Sequence, residues 1–318
     1  KRIFFSDQKI ILESIRLKNK FLFKNLKLNI IQEQSKVNLS NRLLIKNISI
    51  NSKSIRKNDV FFAIKGKNVD GNNYVSEAIK KKSSFAIVNR YNNNHPLFKQ
   101  IKVNNTLKFL TICSSILREN INARIISITG SCGKTTLKEM IGLVLKKISR
   151  TSFSPKSFNN KYGVPLSLFN MKQNDDFGVF EIGMDKKGEI NDLSKIIRPD
   201  LGVITNISYA HSKNFKNIKQ IADAKGEIIN NIKKDGIIIL NGDDHFYYYL
   251  KRLAVKKKIK TVSFAIKNKS SNIKLTNLKK IKNKYELFLN VNNYKISFYT
   301  KNNNKNNLYN ILATIASL

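Results

Sequence analysis

The chain is short of acid. Twenty-one Asp and Glu stand against 59 Lys and Arg, so the formal net charge is +38 over 318 residues. Such an excess points to nucleic acid, an anionic membrane surface or anionic small molecules. Its spread argues against the first two. Basic residues are scattered, Lys far outnumbers Arg, and the runs are short, as at Lys80–Lys82 and Lys256–Lys258. No aromatic array lies beside a basic groove, and no nucleic-acid module or basic amphipathic helix stands out. Asn and Ile are abundant throughout, so the charge reads as compositional drift. Cysteine is scarce too. Cys113 and Cys132 alone make neither a disulfide framework nor a metal-ligand spacing, which fits a reduced, cytoplasmic setting. No apolar run approaches the roughly 20 residues that span a bilayer. The opening Lys1–Phe5 turns polar too soon for a signal peptide. The chain lacks an initiating Met and stops inside a helical pattern, so we expect a fragment cut at both ends.

What is present is a pattern of alternating elements. Residues 1–45 show only short apolar clusters. Beyond them, strands are expected at Ile48–Ile50, Val60–Ile64 and Phe85–Val88, with helices at Tyr74–Lys81 and Thr106–Leu117. A second series begins with a strand at Arg124–Thr129. It continues as helix Thr135–Lys147, strand Val179–Ile182, helix Glu189–Ile197, strand Gly202–Asn206, helix Ile218–Ile232 and strand Ile237–Leu240. Strands alternating with helices argue for βαβ units and a mostly parallel sheet with helices on both faces. After Thr261–Ile266, the runs Ile273–Leu278, Glu286–Val291 and Tyr294–Tyr299 look antiparallel, and a last helix starts near Asn306. The expected organisation is α/β throughout, with a small domain over 1–122 and a larger one over 123–318.

The stretch "SITGSCGKTTLKEM" places a glycine-bounded turn between a buried-type strand and a helix. Backbone N–H groups in such a turn, with the helix N-terminus behind them, form a cradle for phosphate. Gly130 and Gly133 permit close approach, Ser131 and Cys132 lie between them, and Lys134 can reach terminal phosphates. Thr135, followed by Thr136, offers a hydroxyl to a magnesium ion. The commoner phosphate loop has a glycine where Ile128 stands, so this is a shorter variant, Gly-x-x-Gly-Lys-Thr-Thr. Glu181 ends a strand, where its carboxylate could reach the same crevice. His211 follows the next strand and could ligate a metal, although capping or packing is the commoner role for such a His. Lys225 sits on a helix, and in a chain this rich in Lys a solvated side chain is the default reading.

Taken in order, the motifs "TGSCGKTTLKEM", "SFNNKYGVPLSLFNM", "VFEIGMDKKGEINDLSKIIRPDLGVITNISYAHSKNF", "IADAKGEI" and "NGDD" resemble the Mur ligases. The stretch "ISINSKSIRKNDVFFAIKGKNVDGNNYVSEAI" is similar to that family's uridine-nucleotide-binding domain. Within the family, Asn159-Asn160-x-x-Gly163-Val164-Pro165 and Gly188–Ile190 are most like the member that adds D-alanyl-D-alanine to a UDP-N-acetylmuramoyl-tripeptide. The resemblance implies an ATP-dependent ligase of peptidoglycan synthesis that works through an acyl phosphate, as a cytoplasmic monomer. It implies that Lys134 and Thr135 handle the phosphates and a first Mg²⁺, with Glu181 as a ligand. His211 would hold a second Mg²⁺, and Lys225 would be carbamylated. Asn160 would lie near the reacting phosphate, Asn307 and Asn310 near adenine, and Ser52, Lys53, Asp70 and Gly71 near the uridine end. Lys53 stands where the family usually has Arg, which loses a bidentate fork. Asn304 and Asn306 stand where a Gly and a His are usual. The family's third domain, which closes over ATP, is not recognised in the chain. Two alternatives stay open: a Mur-type ligase adding another amino acid, and a basic nucleic-acid-binding P-loop ATPase.

Overall fold

A computed structural model describes residues 26–40, 43–209 and 214–318. The chain divides into two compact units, Lys1–Ile121 and Asn122–Leu318. Both are α/β.

In the first unit the apolar runs at β1 (Ile48–Ser49), β2 (Val60–Phe62), β3 (Phe85–Val88) and β4 (Gln100–Lys102) pair in that order, all parallel. A helix α1 (Leu26–Ser35) occupies part of the stretch that showed no clear sequence pattern, and β4 was not anticipated. Helix α2 (Val75–Lys80) joins β2 to β3. Helix α3 (Thr106–Asn120) opens with Asn105 accepting the Lys108 N–H, a standard N-cap. The core of one layer gathers Phe61, Ala63, Val75, Ala78, Ala86 and Val88.

In the second unit the strands are β5 (Arg124–Thr129), β6 (Thr151–Phe153), β7 (Phe177–Glu181), β8 (Leu201–Ile204), β9 (Ile237–Asn241), β10 (Lys260–Ala265), β11 (Ile273–Ile281), β12 (Lys284–Val291) and β13 (Tyr294–Thr300). They form one nine-stranded sheet in the order 13-12-11-10-9-8-5-7-6. Its pairs are parallel from β6 through β11, and β11–β12–β13 form an antiparallel ribbon. The three runs expected to be antiparallel are so among themselves, and the first of them also joins the parallel part of the sheet. Two residue pairs, Phe264–Ile273 and Ala265–Lys274, tie β11 to β10 in parallel before it turns to β12.

The helices are α4 (Lys134–Ile148), α5 (Gly163–Phe169), α6 (Glu189–Ile197), α7 (Ile218–Gly226), α8 (Tyr247–Lys256) and α9 (Lys305–Ala316). A tighter 3₁₀ segment, Glu227–Asn231, replaces the end of the single helix expected over 218–232. Leu137, Ile141 and Leu145 of α4 and Leu308, Ile311 and Leu312 of α9 pack with Ile126, Ile128, Val179, Val203 and Ile239. Strand residues of the other parity face the opposite layer: a Cβ on Gly202 would lie 2.9 Å from Ile232 and 3.0 Å from Ile238. Strand periodicity thus sends alternate residues to helices on both faces.

This order fixes the position of the site. β5 lies at the centre, with β7 on one side and β8 on the other. The chain goes from β5 outward to β6, back to β7 and then across β5 to β8, so the strand order reverses here and a crevice opens at the carboxyl ends of β5, β7 and β8.

Candidate active site

The loop after β5 begins at Gly130, whose φ is +144°. A methyl group there would lie 1.9 Å from Thr205 Oγ1, so no side chain fits. Gly133, with φ +81°, is the N-cap of α4 and lies in the left-handed region. Between them the loop is strapped to the end of β8. The Ser131 N–H donates to the Asn206 carbonyl (3.0 Å) and to Asn206 Oδ1 (3.2 Å), and the Cys132 N–H donates to the same Oδ1 at 2.9 Å. The Thr205 hydroxyl donates to the Cys132 carbonyl at 2.6 Å, and Ser131 Oγ exchanges bonds with the backbone of Ser208. Asp244 completes the strap by accepting the Ile207 N–H at 2.7 Å; burial raises its pKa.

Lys134 Nζ is folded onto its own loop, donating to the Gly130 carbonyl at 2.9 Å. Thr135 Oγ1 donates to Glu181 Oε2 at 2.6 Å, and Asn159 Nδ2 donates to Glu181 Oε1 at 2.7 Å. Glu181 shares the strand face of Val179, which packs beneath α4; strand parity is what brings this buried carboxylate to Thr135. A hydroxyl and a carboxylate at the head of a phosphate loop are hard oxygen donors of the kind that suits magnesium. No group of three His, Cys, Asp or Glu fit to hold a metal occurs among the described residues.

Lys225 corrects the solvated reading of the residue taken alone. Its side chain is 2% exposed and donates to the Gly130 carbonyl at 3.0 Å. Burial, with the Lys134 cation nearby, lowers its pKa to about 7. A helix face buried under the phosphate loop removes this one Lys from solvent, a fact composition could not reveal.

Asn160 lines the same cavity as Lys134 and also serves local structure. Its Oδ1 accepts the N–H groups of Tyr162 and Gly163 and so caps the start of α5, while the neighbouring Asn159 points at Glu181. Asn307 and Asn310 part company. A Cβ on Gly133 would lie 2.9 Å from Asn310 Oδ1, and Asn310 lines a narrow cleft with Cys132, Thr205 and Asn306. The Asn307 amide instead donates to the Asn302 carbonyl at 2.7 Å, outside that cleft. One turn of helix separates the two, and α9 enters the core between them. His211 lies outside the described residues.

In front of the loop is a cavity of about 540 Å³. Lys134 and Asn159–Tyr162 line one side; Met184, Asp185, Glu189 and Asp192 line the other. Glu189 and Asp192 come from α6 and Asp185 from the turn before it; the first turn of α6 is capped across the chain by Glu227. That residue accepts the Gly188 N–H at 2.8 Å and the Asn191 N–H at 3.1 Å.

In the first unit, Ser52, Lys53, Asp70 and Gly71 follow β1 and β2 and so gather at one sheet edge. Their polar groups serve local structure. The Ser52 hydroxyl donates to Glu77 at 2.7 Å, and Asp70 accepts both the backbone and side-chain N–H of Asn72. A Cβ on Gly71 would lie 2.6 Å from the Ile64 nitrogen, so the turn needs Gly. The Lys53 carbonyl, not its side chain, is engaged, accepting from Lys81. Sequence reasoning missed Arg90, which follows β3 and donates to Asp70 Oδ2 and Asn73 Oδ1 at this edge. It also missed Asn159, Asn206 and Asp244; each is an ordinary loop residue until the fold closes.

A phosphate loop at the switch point of a doubly wound sheet, with a carboxylate opposite the loop threonine, defines a P-loop nucleotide-binding protein. Comparison with known families agrees and goes further. Residues 128–318 match the Mur ligase middle domain and residues 44–127 the Mur ligase family catalytic domain; the chain belongs to the Mur ligase family. It is 36% identical over 238 residues to the UDP-N-acetylmuramoyl-tripeptide–D-alanyl-D-alanine ligase of Buchnera aphidicola (subsp. Acyrthosiphon pisum), covering 74% of this chain and 51% of that one. The crystal structure of MurF from Acinetobacter baumannii superposes with a TM-score of 0.79 at 27% identity, over 91% of this chain and 63% of that one. MurF from Thermotoga maritima, solved in complex with ADP, gives 0.75 at 27% identity, over 87% and 63%. The chain spans about half the length of the curated relatives it matches.

Proposed function

We propose that this chain supplies the nucleotide- and acceptor-binding units of an ATP-dependent amide ligase. Its substrates are UDP-N-acetylmuramoyl-tripeptide and D-alanyl-D-alanine, and its place is in cytoplasmic synthesis of cell-wall precursors. One observation carries the reading: Thr135 and Glu181 meet at 2.6 Å at the head of the phosphate loop, beside a cavity large enough for a second substrate. The similarity to MurF supplies the substrates' identity.

In this reading the carboxylate that ends the tripeptide attacks the γ-phosphate of ATP, giving an acyl phosphate and ADP. The dipeptide amine then attacks the acyl carbon, phosphate leaves and the amine proton is released. Two anions must approach in the first step, so fixed positive charge governs its barrier. Lys134 swings from the Gly130 carbonyl to the terminal phosphates, and the N–H groups of the first turn of α4 face them. Thr135 and Glu181 would hold a magnesium ion, which supplies further charge neutralisation when bound. The protein otherwise contributes positioning and electrostatics.

On the resemblance, His211 and a carbamylated Lys225 would hold a second magnesium ion. Burial that brings the Lys225 pKa to about 7 leaves much of it as free amine at neutral pH. That amine can add carbon dioxide, losing one proton and becoming a carbamate anion. Asn310 and its cleft receive the adenine side. Ser52, Lys53, Asp70, Gly71 and Arg90 border the uridine side.

The test is phosphate release by the full-length polypeptide. Release is expected only when ATP, the uridine-linked tripeptide and D-alanyl-D-alanine are all present. Equal release on adding an oligonucleotide, or with another amino acid in place of the dipeptide, rejects the assignment.

A further inference from the structure

One residue of the opening motif is unaccounted for by phosphate binding. Lys138 lies on α4, one turn beyond Thr135, and its side chain is fully buried. Burying an ammonium group is costly unless each proton finds an acceptor. Here two carbonyls accept from it, that of Ser154 at 2.6 Å and that of Lys156, and the Glu139 carboxylate pairs with its charge at 2.9 Å. Two hydrogen bonds and one ion pair thus compensate the buried charge.

The two carbonyls belong to the segment between β6 and α5. Lys156 there has φ +48°, a left-handed conformation that costs a non-glycine residue energy. The next residue, Ser157, brings its Oγ to 3.5 Å from Thr135 Oγ1. Two residues further, Asn159 donates to Glu181 Oε1, and its carbonyl accepts the Gly183 N–H at 2.7 Å. A closed ring results. It runs from Thr135 along α4 to Lys138, through the strained segment to Asn159, to Glu181 and back to Thr135.

We propose that Lys138 is a positioning residue for the magnesium-nucleotide site: it holds the 154–160 segment so that Asn159 fixes the Glu181 carboxylate against Thr135. An apolar side chain of similar length would fill the same volume, so packing alone does not call for a cation here. Lys138 itself acts through the backbone of residues 154 and 156 and touches neither nucleotide nor metal. The proposal rests on the nucleotide reading of the loop, and is independent of which amide is formed.

The experiment measures binding of a fluorescent ADP analogue to the full-length polypeptide across a magnesium titration, with Lys138→Met and Asn159→Ala beside wild type. The magnesium concentration for half-maximal tight binding is expected to rise at least about tenfold in both variants, while affinity measured in chelator stays within about twofold, since the charge-assisted bonds lost serve the carboxylate alone. A folded Lys138→Met with an unchanged magnesium midpoint overturns the proposal. So does equal loss of affinity with and without magnesium, which marks a purely structural role. Should Lys138→Met fail to fold, Asn159→Ala decides by the same midpoint. A wild type that binds no ADP analogue at any magnesium concentration rejects the nucleotide reading, an outcome separate from either variant result, and wild-type binding that ignores magnesium overturns the proposal.

Discussion

The most informative single residues are two lysines in a chain crowded with them. Among the described residues, Lys134 is held by carbonyl groups of its own loop alone, so its removal should leave the fold intact. Lys134→Ala is expected to weaken ATP binding by roughly 10- to 100-fold, the worth of a charge-assisted bond, with an unchanged melting temperature. Calorimetry with a non-hydrolysable analogue checks both. Lys225 behaves as a buried base with its pKa lowered to about 7 by burial and by Lys134. Between pH 7 and the unfolded value near 10.4, the unfolded chain binds more protons than the folded one, so stability rises with pH in that window. The gain is at most about 1.4 kcal/mol per pH unit. In carbon-dioxide-free buffer, Lys225→Met should flatten this part of the profile of unfolding free energy against pH. A variant profile as steep as wild type would show that another group is responsible. Gly130 makes a third case. With φ +144° and Thr205 Oγ1 in the way of any Cβ, Gly130→Ala should cost about 1–3 kcal/mol and lower the melting temperature by several degrees.

At the scale of elements, the phosphate loop is a strapped structure rather than a free turn. Asn206 and Thr205 grip it from the end of β8, and Asp244, after β9, grips residue 207 in turn. Three strand ends are thereby locked into one register. Asp244→Ala leaves the Ile207 N–H without its acceptor and is expected to cost about 1–3 kcal/mol and weaken nucleotide binding; the matched Asp243→Ala should mainly loosen the 266–268 turn and Tyr309. Thermal melts with and without ADP separate the two. Glu227 plays a comparable part for α6. Its carboxylate sits at the helix start, where negative charge is favoured, and orients the wall that carries Glu189 and Asp192.

Element scale also shows where sequence patterns reach and where they stop. Arg124–Thr129 and Glu189–Ile197 match the expected spans at both ends, because each is amphipathic or wholly buried with clear punctuation. Helix α5 was not anticipated: every one of its residues is buried, so no 3.6-residue period exists to read. Helix α8 opens with three tyrosines, a strand-like composition that packing on β9 and β10 overrides. Strand β6 is polar, half-exposed and at the sheet edge, where nothing requires an apolar run.

For the whole molecule, the +38 charge has no focal point among the described features of the site. Its cavity carries Asp185, Glu189 and Asp192 opposite Lys134, a mixed wall rather than a basic groove. Oligonucleotides are therefore expected to bind only through diffuse attraction, lost between about 50 and 200 mM salt, without stimulating ATP turnover. Filter binding across a salt series, run beside a phosphate assay, checks this. No helix among the described residues is long and apolar enough to cross a membrane.

Order and spacing alone determined the α/β class, the phosphate loop and the candidacy of Thr135 and Glu181, since these depend on local periodicity and on glycines that a tight turn demands. Only the folded chain decided which of many similar side chains matter: that Lys225 and Lys138 are buried among dozens of exposed lysines, that Asn159 rather than Asn160 reaches the carboxylate, and that Asn206 grips the loop. The reason is physical. Desolvation and hydrogen-bond partnership are properties of residues far apart in sequence, and they come into being when parallel strands bring their carboxyl ends together.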